Sequence, residues 1–222
     1  MMPSVRVLVL LAAAVAAGHK APRKQPAAPA AASDPLASLH RLAGPVRIDC
    51  SGALETVMLL AELGSTGPAV TEFQAQARTR FAAYAQHPAV VETASLLTRG
   101  FGYKELAEFS TLLSPAPYFA LNESDELTAL AKLLPSADLN FNVDRLLGYA
   151  RLIREFYWDA HMGKFLREST GEYRQALKQV SAKDLPPGVK VLLSPLAPLP
   201  PAGRIEFSRK GSRPGNYIVL GG

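Results

Sequence analysis

Residues 139–173 read LNFNVDRLLGYARLIREFYWDAHMGKFLRESTGEY, and the reading of this stretch decides the fold class. It holds the single tryptophan, Trp158, with Phe141, Tyr149, Phe156, Tyr157, Phe165 and Tyr173. Val143, Leu146, Leu147, Ala150, Ile153 and Tyr157 recur at steps of three and four, the spacing of one buried helical face. Asn142 has an N-capping side chain, and Asp144 and Arg145 open the first turn. Arg151, Arg154 and Glu155 fall largely off the apolar face, as a half-buried helix requires. The spacing therefore predicts a central helix whose aromatic residues anchor a layer of helices.

Further helices are expected on either side. Ser51 caps one over residues 54–63, which stops at Gly64. A second covers 69–85, with Phe73, Ala77, Phe81 and Tyr84 on one side. The third opens with His87-Pro88, proline at the first helical position, and ends at Gly100. Residues 103–113 and 124–134 give two more, separated by the loop SPAPYFALNE, and 171–181 gives the last. Val46-Arg47-Ile48-Asp49 alternates as a short strand does.

Beyond Asp184 the texture changes. Pro186-Pro187-Gly188 breaks the helix, VKVLL (189–193) reads as a strand, and RIEFS (204–208) and NYIVL (216–220) pair as a hairpin. The expected class is α+β, predominantly helical. A multi-helix array over 35–183 is followed by a small C-terminal β region over 184–222 that looks truncated. An apolar terminal hairpin with nothing over it would invite aggregation.

Residues 1–17 have the layout of a secretory signal: Arg6, the apolar run VLVLLAAAVAA, then small residues for cleavage near Gly18. That run is shorter than the roughly 20 residues of a membrane span, and no integral membrane segment is expected after cleavage. Residues 18–34, rich in Ala and Pro, read as a disordered tether. Export to the periplasm or the extracellular space follows, an uncleaved N-terminal anchor being the alternative.

The formal charge of +5 is unevenly spread, since Arg6, Lys20, Arg23 and Lys24 stand in the first 34 residues against one acid, Asp34. Bases and acids interleave thereafter, which is not a nucleic-acid footprint. One cysteine, Cys50, excludes an intramolecular disulfide and reads as a buried thiol, pairing between chains being the alternative.

The four histidines, His19, His40, His87 and His161, form no HExxH, the spacing that sets two zinc ligands on one helical face. Glu155, Asp159 and His161 lie close in sequence and read as a surface charge network, a catalytic or metal role being the alternative. No GxSxG elbow and no GxxxxGK[ST] phosphate loop occurs. Asn122-Glu123-Ser124 matches a glycosylation sequon, a pattern common by chance. Phe156-Tyr157-Trp158 reads as core packing, with a ligand groove near Trp158 as the alternative.

The segments VRIDCSGALETVMLLAEL, FAAYAQHPAVVETASLLTRGFGYKELAEFSTLL, VDRLLGYARLIREFYWDAHMGKFLREST and GEYRQAL, then VKVLLSPLAP and NYIVLGG, carry a resemblance. Together they resemble a family of secreted or periplasmic bacterial proteins grouped with gluzincin-type zinc metallopeptidases. The resemblance implies the N-terminal portion of such a protein, inactive alone. Zinc is expected only if the complete protein carries an HExxH downstream, so no cofactor and no metal ligand belong to this chain. It further implies a peptide or protein substrate aligned by strand addition, which nominates Asn216, Tyr217 and Ile218 for substrate contact. The alternative is a non-catalytic periplasmic helical protein that binds a peptide or protein partner.

Overall fold

The computed structural model describes residues 33–122, 124–181, 185–199, 203–210 and 214–221. The expected signal and tether, Ser33 and Asp34 excepted, lie outside the described residues, as do Glu123 of the sequon and the boundary at Asp184. The described residues belong to one compact unit over 32–222.

In chain order its elements are β1 (His40–Ala43), β2 (Val46–Cys50), α1 (Gly52–Gly64), α2 (Glu72–Phe81), α3 (Pro88–Thr98), α4 (Tyr103–Leu112) and α5 (Asp125–Ala131). Then follow α6 (Leu139–Asp159), α7 (Met162–Glu168), α8 (Thr170–Gln179), β3 (Lys190–Ser194), β4 (Arg204–Arg209) and β5 (Gly215–Gly221). The expected class, α+β and mainly helical, holds.

The most deeply set helix is α1, not α6. Every residue from Gly52 to Glu62 is buried, so this helix is covered all round rather than along one stripe. It packs against α2, α3, α4, α6 and α7 and against β3. The longer α6 is half-buried as its spacing predicts, but two of its aromatics, Phe141 and Trp158, are exposed rather than in the core.

Side chains at the helix starts explain where the helices begin. The Leu54 N–H donates to Ser51 Oγ, the Ala89 N–H to His87 Nδ1 ahead of Pro88, and the Leu127 N–H to Ser124 Oγ. Thr71 and Gln74 form a reciprocal capping box on α2, and Gln74 Nε2 also donates to the Pro195 and Ala197 carbonyls. Asn142 is not the cap of α6. Asp138 is, accepting from the Phe141 N–H, while Asn142 is buried and donates to the Ala131 and Ser136 carbonyls. The break after Asp159 was not expected. His161 takes a left-handed conformation (φ 53°) and starts α7 in a new direction.

The sheet has the order β1-β2-β3-β5-β4. β2, β3 and β5 run parallel, and β1 and β4 close the edges antiparallel. Its strands come from both ends of the unit, because β3 pairs with β2 from residues 46–50 as well as with β5. By register, Ile48, Val191 and Ile218 share one face, and Phe207, Tyr217 and Lys190 share the other. β5 is therefore buried on both faces, through Ile218 on one and Tyr217 and Val219 on the other. The uncovered hairpin face expected from the sequence does not exist here, since Ile205 and Phe207 are buried too. Arg41 on β1 ties the edge to the helices, its Nη1 donating to the Leu177, Lys178 and Val180 carbonyls at the end of α8.

Candidate functional site

The loop over residues 114–122 is the wall of the candidate site, and its conformation is fixed. The Ser114 N–H donates to the Ala120 carbonyl at 2.8 Å, and the Ala120 N–H donates to Ser114 Oγ at 2.8 Å. Phe119 adopts φ 48°, a region costly for an aromatic residue, and its buried ring lies on Tyr157 with centroids 5.2 Å apart.

Two clefts adjoin at Ala120 and Leu121, which line both. The larger, about 320 Å³, is walled by Thr111, Ser114, Asn122 and Ser124 and includes Arg209. The smaller, about 220 Å³, lies between Phe119 and the α6 residues Leu147, Ala150, Arg151 and Arg154. Leu147, Arg151, Arg154 and Trp158 follow one another at steps of three and four along α6. Trp158 is 41% exposed and packs edge-on against Tyr157. Neither Arg151 nor Arg154 forms an ion pair among the described residues.

Arg209 ends β4, with only 1% of its side chain exposed. Its Nη1 donates to the Thr111 carbonyl at 3.1 Å and to Thr111 Oγ1 at 2.8 Å, which pins β4 to α4. The Tyr217 ring lies 5.9 Å from the guanidinium. Nε and Nη2 make no hydrogen bond. Glu126 Oε1 faces Nη2 at 3.7 Å, beyond hydrogen-bonding reach. Burial raises the nearby Glu108 carboxyl, with Lys104 and then Arg209 pulling it down.

The three nominated residues have different surroundings. Asn216 is exposed and accepts from the Ser208 hydroxyl at 2.7 Å. Tyr217 is buried, stacked on Phe207 at 5.1 Å, with Lys190 and Arg209 over its ring. Ile218 is buried on the opposite face. Strand addition at β5 is closed, because β3 and β4 already take both of its hydrogen-bonding edges. Tyr217 instead stands behind the cleft, through Arg209. The residue that sequence reading passed over is Arg209 itself, taken as the first of a loop. Its signal was the step of two from Ile205 and Phe207, which continues the buried face of β4.

The acids and histidine around the end of α6 do not converge. Asp159 faces His87 at 3.7 Å, and its carbonyl accepts from the Tyr84 hydroxyl. Among the described residues no group of three or more His, Cys, Asp or Glu is arranged to hold a metal ion.

A second polar cluster lies buried where β2 and β3 end. Glu55 in the first turn of α1 is fully buried, and its Oε2 accepts from the Tyr173 hydroxyl at 2.8 Å and from the Leu196 N–H at 3.3 Å. Burial pushes its carboxyl up to about 7, against the opposing pull of the Ser194 hydroxyl, Tyr173 and Leu196. Asp34 accepts from the Leu36 and Gly52 N–H groups and is itself raised by burial. Burial, then Glu55, Asp49 and Asp34, push the Cys50 thiol up. This cluster ties the start of α1 to the segment that follows β3 and to Asp34.

No family model matches the chain, and no curated protein and no solved structure matches it either. No described helix is long and apolar enough to cross a membrane.

Proposed function

We propose that this chain is the exported, peptide-holding portion of a zinc-dependent peptidase-like protein, itself without catalytic residues. The observation that carries the reading is the pair of clefts that share Ala120 and Leu121, one lined also by Phe119, Leu147, Ala150, Arg151 and Arg154 and the other including Arg209. A trough of this kind suits an extended peptide: apolar walls supply the contact area and a few fixed polar groups supply orientation. The resemblance of most of residues 46–222 to gluzincin-type proteins supplies the peptidase context. Zinc enters only through a downstream HExxH, and no residue of this chain is assigned to it.

Trp158, the single tryptophan, follows Arg154 on the same face of α6 and serves as the probe. Its fluorescence should shift on titration with short apolar peptides. Arg151→Glu with Arg154→Glu should weaken the binding of an acidic apolar peptide. An unchanged spectrum across peptides, with no binding by calorimetry, would sink the reading.

A second reading, a free-standing non-catalytic binding protein, uses the same trough and is favoured by the exposure of Trp158. The coding sequence after Gly222 separates the two. An in-frame HExxH supports the first, and a stop codon supports the second.

A further inference from the structure

We infer that the outer edge of β4 is an interface for a second copy of this chain, the two β4 strands pairing antiparallel about Ile205 into one continuous sheet. Arg204, Glu206 and Ser208 line neither cleft, so this pairing goes beyond the peptide reading and does not depend on it.

In the sheet β4 has β5 as its one neighbour. The Gly221 N–H donates to the Gly203 carbonyl at 3.1 Å, one step beyond the facing pair Arg204 and Leu220. Hydrogen-bonded and unbonded pairs alternate along an antiparallel ladder. Ile205, Phe207 and Arg209 therefore bond to β5, while Arg204, Glu206 and Ser208 turn their N–H and C=O groups outward. Among the described residues those outward groups have no partner. Such a row is a template for another strand. The opposite edge offers less. The Cys50 N–H donates to the Leu39 carbonyl, so by the same alternation only His40 and Leu42 of β1 face outward, and Arg41 ties that strand to α8.

Charge selects the occupant. Charged side chains guard an edge strand when a partner sets like charges opposite them. Arg204 and Glu206 share the exposed face of β4, with 51% and 54% of their side chains open to solvent, and they pair with each other at 2.7 Å along the strand. Antiparallel pairing of two copies about Ile205 sets each Arg204 opposite the Glu206 of the other copy. Opposite charges then meet twice, and each facing pair exchanges both of its backbone bonds. On the other face the two Ile205 side chains meet at the axis, adding an apolar contact. Pairing about Glu206 would set two carboxylates face to face. Pairing about Phe207 would shift the contact toward Arg209, where β4 is pinned to α4 through Thr111. The Arg204 end thus gives the register. The interface is isologous, because the same residues serve both copies. It is also short, so the dimer should be weak and dependent on concentration.

The test is sedimentation velocity on the full chain over a dilution series, with circular dichroism to confirm that each variant folds. Both positions are half exposed, so the variants leave the core intact. Glu206→Arg and Arg204→Glu should each weaken dimerisation at least about tenfold, since each replaces attractive cross-strand pairs with repulsive ones. Mixing the two variants should restore a dimer, now a heterodimer, because each chain brings the charge that the other lacks. A wild-type chain that stays monomeric up to about 1 mM overturns the inference. A dimer indifferent to both reversals places the interface elsewhere and overturns it as well. Weakening without rescue on mixing overturns the facing of Arg204 and Glu206, and with it the register. A monomeric chain that binds an extended peptide at this edge, with Glu206→Arg changing that binding, overturns the second copy in favour of a peptide.

Discussion

The hydroxyl of Tyr173 donates to Glu55 Oε2 at 2.8 Å across 118 residues of sequence, joining α8 to the first turn of α1 inside the core. Both side chains are fully buried. The bond supplies one polar partner for a carboxyl that has no access to water, so the cluster is a sensitive point for stability.

Stability should fall as pH rises from about 4.5 to about 7, through Glu55. Its carboxyl is raised by burial from the ordinary range to about 7, so the folded chain holds a proton that the unfolded chain releases. The contribution is complete below the unfolded value and is lost as pH passes the folded value. The raised value corresponds to ~3 kcal/mol across that window. Glu55→Gln cannot ionise and still accepts from Tyr173, so it should flatten the profile. Urea unfolding at several pH values measures this, and an unchanged slope in the variant would refute it.

Tyr173→Phe removes the donor and leaves Glu55 Oε2 with the Leu196 N–H at 3.3 Å. A loss of about 1–3 kcal/mol is expected, the cost of an unmet buried polar group. The loss should be smaller at pH 5, where Glu55 is protonated, than at pH 8. Chemical denaturation at the two pH values is the check.

Arg78 and Glu62 form the other consequential pair. Glu62 on α1 is buried, and Arg78 Nε lies 2.5 Å from its Oε1, while Arg78 Nη1 donates to the Gly67 carbonyl. Arg78→Ala strands the carboxylate and should cost roughly 3 kcal/mol or more, whereas the double change with Glu62→Gln should recover a large part of it. A double-mutant cycle by thermal unfolding reads the coupling, and additive losses would contradict it.

Cys50 is buried, and that burial, with the neighbouring Glu55, Asp49 and Asp34 adding to it, raises the thiol and holds it in the protonated form. Iodoacetamide should label it slowly in the folded chain and at a normal thiol rate in urea. Rapid native labelling detected by mass spectrometry would show that the end of β2 opens readily.

Much of the helical layer was legible from local chemistry. Ser51, His87-Pro88 and Ser124 mark helix starts because their side chains act on N–H groups two or three residues away. The alternation in VRIDC and RIEFS marked strands for an equally local reason, since successive side chains point to opposite faces. β1 was missed, because His40-Arg41-Leu42-Ala43 does not alternate and leaves Leu42 exposed. The break at His161 was missed because no glycine or proline announces it.

The amino-acid sequence by itself determined the class, the predominance of helix and the pairing of β4 with β5, all consequences of short-range pattern. Tertiary structure alone decided that β3 lies between β2 and β5, that α1 rather than α6 is the buried helix, and that Glu55 meets Tyr173. It also brought Arg209 to Thr111 across 98 residues, at the cleft where the peptide site is proposed. Such contacts depend on which elements share a buried face, and burial is a property of the assembled chain rather than of any one segment.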